Sequence, residues 1–222
     1  MSSPPALFRR ARSREHKEQR VRDLVEAART LAAEHGARTV TLTAIAARAG
    51  VHASGVRRYF DSRADILLTL ADEGWRAWAL RVAAALQPGR TADVAEVLVA
   101  TLAELPLFCD LLAQLPLSLR REAPLESVRA SVANEREQIE ILAELVAAAS
   151  DHLDRAGARE LVGATALLAG GLWQVEQASG GVARLYRDDP RSERAAPEFA
   201  CRLTLLVRAL AAGLGPAEVG RA

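Results

Sequence analysis

The sequence predicts an all-α protein: an N-terminal three-helix head with a helix-turn-helix, then a larger helical body, about nine helices in all. Three observations lead there. Alanine and leucine dominate, aromatic residues are only 4%, and no long Val/Ile/Tyr run of the strand-building kind occurs. Apolar residues recur at helical spacing through almost every segment between prolines and glycines. The stretch TLTAIAARAGVHASGVRRYF, Thr41–Phe60, breaks its helical pattern at Ala49-Gly50-Val51-His52 and then resumes it. At 222 residues the chain is long enough to bury a proper core.

The elements follow in order. After a Pro-containing, Arg-rich tail, Val21, Leu24, Val25, Ala28, Leu31 and Ala32 mark a helix that ends near Gly36. The Thr41–Phe60 unit comes next. Asp61 and Ser62 are N-cap candidates for a long helix over about residues 63–86, stopped by Pro88-Gly89. Thr91 is placed to cap a helix reaching about Leu105, and Pro106 separates it from a short apolar helix over 107–115. Pro116 and Pro124 bracket a connection to a long helix over about 125–152. Two further helices span about 158–179 and 197–214. Between them RDDPRSER, Arg187–Arg194, is so charged that it reads as a solvated, mobile loop.

The interruption in Thr41–Phe60 has an architectural reading. Ala46 is small where a second helix would cross, Gly50 tolerates a positive φ in the turn, and Ile45, Val51, Val56 and Tyr59 clamp the pair. The second helix, about residues 53–59, then projects as a rod with Ser54, Gly55, Arg57 and Arg58 on the face opposite Val56. Such a rod fits the major groove of double-stranded DNA, where an arginine binds guanine in bidentate fashion or holds phosphate. The charge distribution agrees. The net charge is only +1, but residues 1–63 carry 13 Lys/Arg against 6 Asp/Glu, while the remainder is net acidic. A helical protein-interaction module without sequence-specific DNA binding is the alternative, and steep salt dependence would separate the two.

The segment from Gly36 to Leu67 resembles the DNA-binding segment of the tetracycline-repressor (TetR) family of regulators. Thr41-Leu42, Ile45, Gly50-Val51, Val56, Tyr59-Phe60 and Ser62-Arg63 before Ile66 carry the resemblance. It implies a DNA-binding domain over residues 1–64 and a helical effector-binding and dimerisation domain over 65–222. It also implies phosphate contacts from Thr41, Tyr59 and Arg63, base-edge contacts from the Ala53–Arg58 face, and interface positions at Thr43 and His52. Arg9, Arg10, Arg12, Arg14 and Lys17 form a basic arm able to reach phosphates or a minor groove. This chain departs from the family pattern on the reading face itself, with His52 at the capping position, Ser54-Gly55 one turn in, Arg57 in place of a tyrosine and Arg63 in place of a lysine. The family default is a repressor released from a palindromic operator by a small molecule.

In the body, two stripes run along the 158–179 helix: Leu161, Ala164, Leu168, Leu172 and Val175 on one side, and Val162, Ala166, Ala169 and Trp173 on the other. One can face the subunit's own core and the other a partner copy, joined by Phe199, Leu203, Leu206 and Leu210 of the last helix. The expectation is a homodimer, and the resemblance adds an intersubunit four-helix bundle. It further implies an effector cavity among the middle helices, for which Trp75, Trp78, Thr101, Phe108, Leu112 and Trp173 are candidate walls. Within the 125–152 helix, Glu135 interrupts the inner stripe of Val128, Val132, Ile139 and Leu142, with Asn134 and Gln138 beside it, and this trio is the candidate for ligand hydrogen bonding.

Other functions find little footing. His16, His35, His52 and His152 are scattered, and there is no phosphate-gripping glycine loop or nucleophile elbow, so no enzyme, metal or cofactor is expected. Cys109 and Cys201 lie inside apolar helical patterns, which suits a reducing cytoplasm. The N-terminus has no secretory h-region and Leu161–Trp173 is too short to span a bilayer, so the expected setting is cytoplasmic with no membrane partner.

Overall fold

The computed structural model describes residues 6–86, 93–177 and 199–215, with side chains from Glu15 onward. Among them are nine α-helices of four residues or more and no strand. The RDDPRSER segment and Thr91 lie outside the described residues.

Helix α1 (Ala6–His35) already begins where the sequence suggested a tail. Residues 6–20 contain no glycine or proline and are rich in alanine, arginine and glutamate, all strong helix formers, so the basic arm continues the helix. Leu24, Ala28 and Ala32 bury its inner face. At Gly36, with φ +84°, the chain leaves α1 for a 3-10 turn, Ala37–Thr39. Thr41 caps α2 (Leu42–Arg48), its hydroxyl accepting the Ala44 N–H at 3.1 Å. Gly50, at φ +65°, makes the turn into α3 (Ala53–Val56). This α-helix is shorter than the expected 53–59 rod; from Arg57 the chain tightens into turns, with the Tyr59 N–H donating to the Val56 carbonyl at 2.9 Å. Ile45, Ala46, Val56 and Phe60 clamp the unit from inside.

Ser62 caps α4 (Arg63–Ala85), accepting the Asp65 N–H at 3.1 Å, while Asp65 accepts the Asp61 N–H at 3.2 Å. Helix α4 is the spine. It runs unbroken from the reading head into the body and packs on the helices Leu125–Ala148 and Pro106–Gln114. Helix α5 (Val94–Ala103) is capped by Asp93, whose carboxylate takes the N–H groups of Ala95 and Glu96 at 3.0 and 3.1 Å. A carboxylate here also complements the helix dipole, which a threonine does not. Pro106 is the first residue of α6 (Pro106–Gln114), a position that needs no N–H. A π-helical turn, Leu115–Leu119, and the single turn α7 (Arg120–Glu122) lead to α8 (Leu125–Ala148). Asp154 caps α9 (Arg155–Glu176), and α10 (Phe199–Gly213) closes the body against α5 and α9.

Two glycines set how closely these helices approach. A side chain on Gly74 of α4 would overlap the Phe108 ring of α6, and a Cβ on Gly170 of α9 would sit 2.7 Å from the Ala113 nitrogen. Helix α6 is thus held between α4 and α9 with backbone contact on one side. Among the described residues no helix is long and apolar enough to cross a membrane.

Candidate nucleic-acid interface and effector site

In the reading head, Thr41, Thr43, His52, Ser54, Arg57 and Arg58 are exposed, while Ala53, Gly55 and Tyr59 are half-buried. His52 caps α3 with its ring: Nδ1 accepts the Ser54 N–H at 3.3 Å and lies 2.9 Å from the Ser54 hydroxyl. An imidazole therefore does the work that a serine or threonine hydroxyl usually does. Arg57 and Arg58 have no hydrogen-bonding or ion-pair partner among the described residues.

Arg29, Arg48 and Arg63 of the head are engaged, while the exposed Arg38 side chain, like those of Arg57 and Arg58, has no ion-pair partner among the described residues. Arg48 makes a two-pronged contact with Glu34, at 2.9 and 3.1 Å. Arg29 binds Glu73 on α4; its burial acts to lower its pKa, and the Glu73 and Glu26 carboxylates more than reverse that. Arg63, assigned to phosphate by the resemblance, is turned inward instead. Its Nη1 donates to the Arg38 and Val40 carbonyls at 3.0 Å each, and its Nε to Glu122 of α7 at 3.2 Å. It joins the 3-10 turn, the start of α4 and the body.

The body sorts the proposed effector residues into three places. Trp75, Trp78 and Phe108 form one aromatic cluster, with Trp75 centred 5.6 Å from Trp78 and 5.3 Å from Phe108. Trp78 Nε1 donates to the Leu98 carbonyl and the Thr101 hydroxyl, both at 3.2 Å, so Thr101 belongs here. Leu112, also buried, lies against Gly170 of α9. Asn134 and Glu135 go to a second, polar cluster between α4, α7 and α8. Asn134 accepts from Arg76 at 2.8 Å, Glu135 binds Arg120, and Ser131 donates to Asp72 at 2.8 Å. Burial raises the Asp72 pKa, and the Ser131 hydrogen bond with the nearby Arg76 and Arg120 only partly offsets it. Gln138, on the same helix, is buried. Trp173 is in a third place, packed edge-on against Phe199 at 5.5 Å.

Asp72, Ser131, Arg120 and Asp110 escaped the sequence reading. Asp110 of α6 joins head to body: one carboxylate oxygen accepts the Ala37 N–H at 2.6 Å and the other accepts from Gln174 of α9 at 2.7 Å. It lines a cleft of about 540 Å³ with Gly36, Arg38, Pro106 and Trp173. The available signal was a lone acid among apolar residues in LPLFCDLLA.

The expected dimer face needs redrawing. Leu161 and Leu203 are fully buried in the subunit's own core and Phe199 nearly so. Ala164, Leu168, Leu172, Leu206 and Leu210 are half-buried. The outward leucines of α9 and α10 are Leu167, 72% exposed, and Leu205, 68%, with Val175 at 55%. On a helix that is apolar nearly all round, periodicity does not say which stripe faces inward.

Two family descriptions match the chain in tandem. "Bacterial regulatory proteins, tetR family" matches residues 24–70 and "Tetracyclin repressor-like, C-terminal domain" matches residues 72–217. No curated protein matches by sequence. Among solved structures, Thermus thermophilus FadR, a TetR family transcriptional repressor in complex with lauroyl-CoA, is 18% identical with a TM-score of 0.55, covering 91% of this chain and 98% of that one. PfmR, a TetR family regulator also from Thermus thermophilus, is 13% identical with a TM-score of 0.54, covering 87% and 99%. The fatty acid degradation regulator FadR from Bacillus halodurans is 18% identical with a TM-score of 0.53, covering 91% and 97%. With the helix-turn-helix and the helical body both matched, the chain belongs to the TetR family of DNA-binding transcriptional regulators.

Proposed function

We propose that the protein is a cytoplasmic homodimeric repressor that reads a palindromic operator and is released from it by a small molecule. The observation that carries the reading is the contrast among the head's arginines. Arg29, Arg48 and Arg63 are engaged within the protein, whereas Arg57 and Arg58 project from the end of α3 with no partner among the described residues. In this reading residues 1–64 bind DNA and 65–222 form the effector and dimer domain. Ser54, Gly55, Arg57 and Arg58 address base edges. Thr41, Thr43, His52 and Tyr59 flank the phosphates, with Ala53 setting the close approach. Arg63 positions the 3-10 turn through its two carbonyl contacts. Two copies meet through the uncovered Leu167, Val175 and Leu205, with Ala164, Leu168, Leu172, Leu206 and Leu210 around them. Each copy then contributes one half-site, about 34–36 Å apart or a multiple of it.

The effector site is assigned to the Trp75–Trp78–Phe108 cluster with Thr101 and Leu112, because it lies between α4, which carries the head, and α6, which grips the head through Asp110. An inducer must bind the DNA-incompetent state more tightly than the competent one. The test is selection of bound duplexes from a random pool, followed by a release screen that includes acyl-CoA thioesters, the ligand class seen in Thermus thermophilus FadR. An enriched inverted repeat is the expected result. No enrichment at low ionic strength would overturn the reading.

A further inference from the structure

Two tryptophans lie one helical turn apart on α4, and they differ in one respect. The indole N–H of Trp78 is fully served by Leu98 and Thr101. That of Trp75, a residue only 1% exposed, has no hydrogen-bond partner among the described residues. Buried donors in native proteins are almost always paired, so an orphan calls for an explanation. The T-shaped contact with Phe108, at 72° between ring planes, offers at most an aromatic face, a weak acceptor beside an oxygen.

The surroundings say what kind of group is missing. Phe108 lies directly on the α4 backbone where Gly74 has no side chain, so one flat ring fills a slot between two helices. A planar ligand group of similar size fits the same slot once Phe108 swings out. The next residue along, Cys109, is wholly buried and its thiol is pushed up to about 12, mainly by burial, so the neighbourhood penalises charge. The charged side chains between α4, α7 and α8 engage one another in the Asp72–Arg76–Arg120–Glu135 cluster, and Asp110, next to Cys109, is turned to the Ala37 N–H and Gln174. A carboxylate ligand would find one indole N–H and no cation in the aromatic slot. A neutral oxygen would find the donor it needs.

We infer that the effector is a neutral, largely apolar molecule with a carbonyl-type oxygen, which takes the place of the Phe108 ring and accepts a hydrogen bond from Trp75 Nε1. This rests on the assignment of the aromatic cluster as the effector site. Helix α6 then reports occupancy, since Phe108 and the Asp110 that holds the Ala37 N–H are two residues apart on it.

The experiment uses the full chain, labelled with ¹⁵N, and follows its indole N–H signals without DNA, so that failure here is distinct from failure to bind an operator. The probes are acetophenone, α-methylstyrene (the same shape with the oxygen replaced by CH₂) and benzoate. Acetophenone should move the Trp75 signal and bind about ten-fold tighter than α-methylstyrene, the discrimination one buried hydrogen bond supplies. Benzoate should bind more weakly than acetophenone. Phe108→Leu, which keeps an apolar side chain, should tighten acetophenone binding, and Trp75→Phe should erase the preference over α-methylstyrene. Equal binding of acetophenone and α-methylstyrene to the wild type would overturn the inference. So would tighter binding of benzoate, or a Trp75 signal that acetophenone leaves in place in both wild type and Phe108→Leu.

Discussion

The turn from α2 through α3 and the outer face of α9 and α10 are both surface regions, and they leave opposite kinds of group uncovered. The first exposes Arg57 and Arg58, cations without partners among the described residues; the second exposes Leu167, Val175 and Leu205. Hydrated guanidinium groups are cheap to leave open and ready for a polyanion. Exposed apolar side chains on neighbouring helices are costly in water and suit a second copy of the same surface. A third unmet group, the Trp75 N–H, lies in the interior, where only a small molecule can reach it. In each place, what the fold leaves unsatisfied describes the chemistry of a partner, and the groups it satisfies describe architecture.

The sharpest way to break this comparison is to charge the apolar face. Leu167→Arg together with Leu205→Arg should leave a monomer in sedimentation and lower operator affinity at least about 100-fold by removing linked binding of the second half-site. A double variant that stays dimeric would mean that these leucines do not form the seam. Next, Arg57→Ala or Arg58→Ala should each cost roughly 1–3 kcal/mol of operator binding, with thermal stability little changed. Arg63→Ala should behave in the reverse manner. It strands two backbone carbonyls and Glu122, so about 1–2 kcal/mol of folding stability should be lost in a denaturant titration, while matched and mismatched DNA weaken alike.

Smaller effects probe the satisfied groups. Asp72 has a raised pKa in the folded protein, chiefly through burial. Folding therefore favours its protonated form: its stabilising contribution is present at low pH and is lost as pH rises through the folded pKa. Relative to Asp72→Asn, the wild type should gain stability as pH falls through the range just above the ordinary aspartate value of about 4, as pH-dependent melting would reveal. Smallest of all, Arg48→Ala removes an exposed contact with Glu34 and should change stability and operator affinity by less than about 0.5 kcal/mol.

Local signals in the sequence were the readable ones. Gly50 marks a positive φ, Ser62 caps the helix it precedes, and Pro106 marks a helix boundary. Each depends on residues within about one turn. Trp75, Trp78 and Phe108 could be grouped because large aromatics on inner faces of neighbouring helices tend to meet. What failed to show was every feature that depends on a distant partner. Arg63 reads as a free cation because Glu122 is far along the chain, and nothing near Trp173 in the sequence marks Phe199 as its ring partner. Glu135 was visible as a polar interruption, yet its counterpart Arg120 arrives only through the π-helical turn before α7. The sequence pattern puts Leu161 and Leu203 at the seam, although both are buried in the subunit's own core, because a helix apolar on two sides carries no label for which side is its own core.

The reading role of the projecting arginines shows most directly in how binding discriminates between sequences. For the wild type, Arg63→Ala and the Arg57→Ala/Arg58→Ala double variant, the ratio of affinity for the selected operator to that for a scrambled duplex would be measured at one fixed salt concentration. The double variant should lose at least about ten-fold in that ratio, and Arg63→Ala should keep the wild-type ratio. A ratio that survives loss of both projecting arginines, or collapses with Arg63 alone, would contradict the claim that the unpartnered arginines at the end of α3 read the DNA.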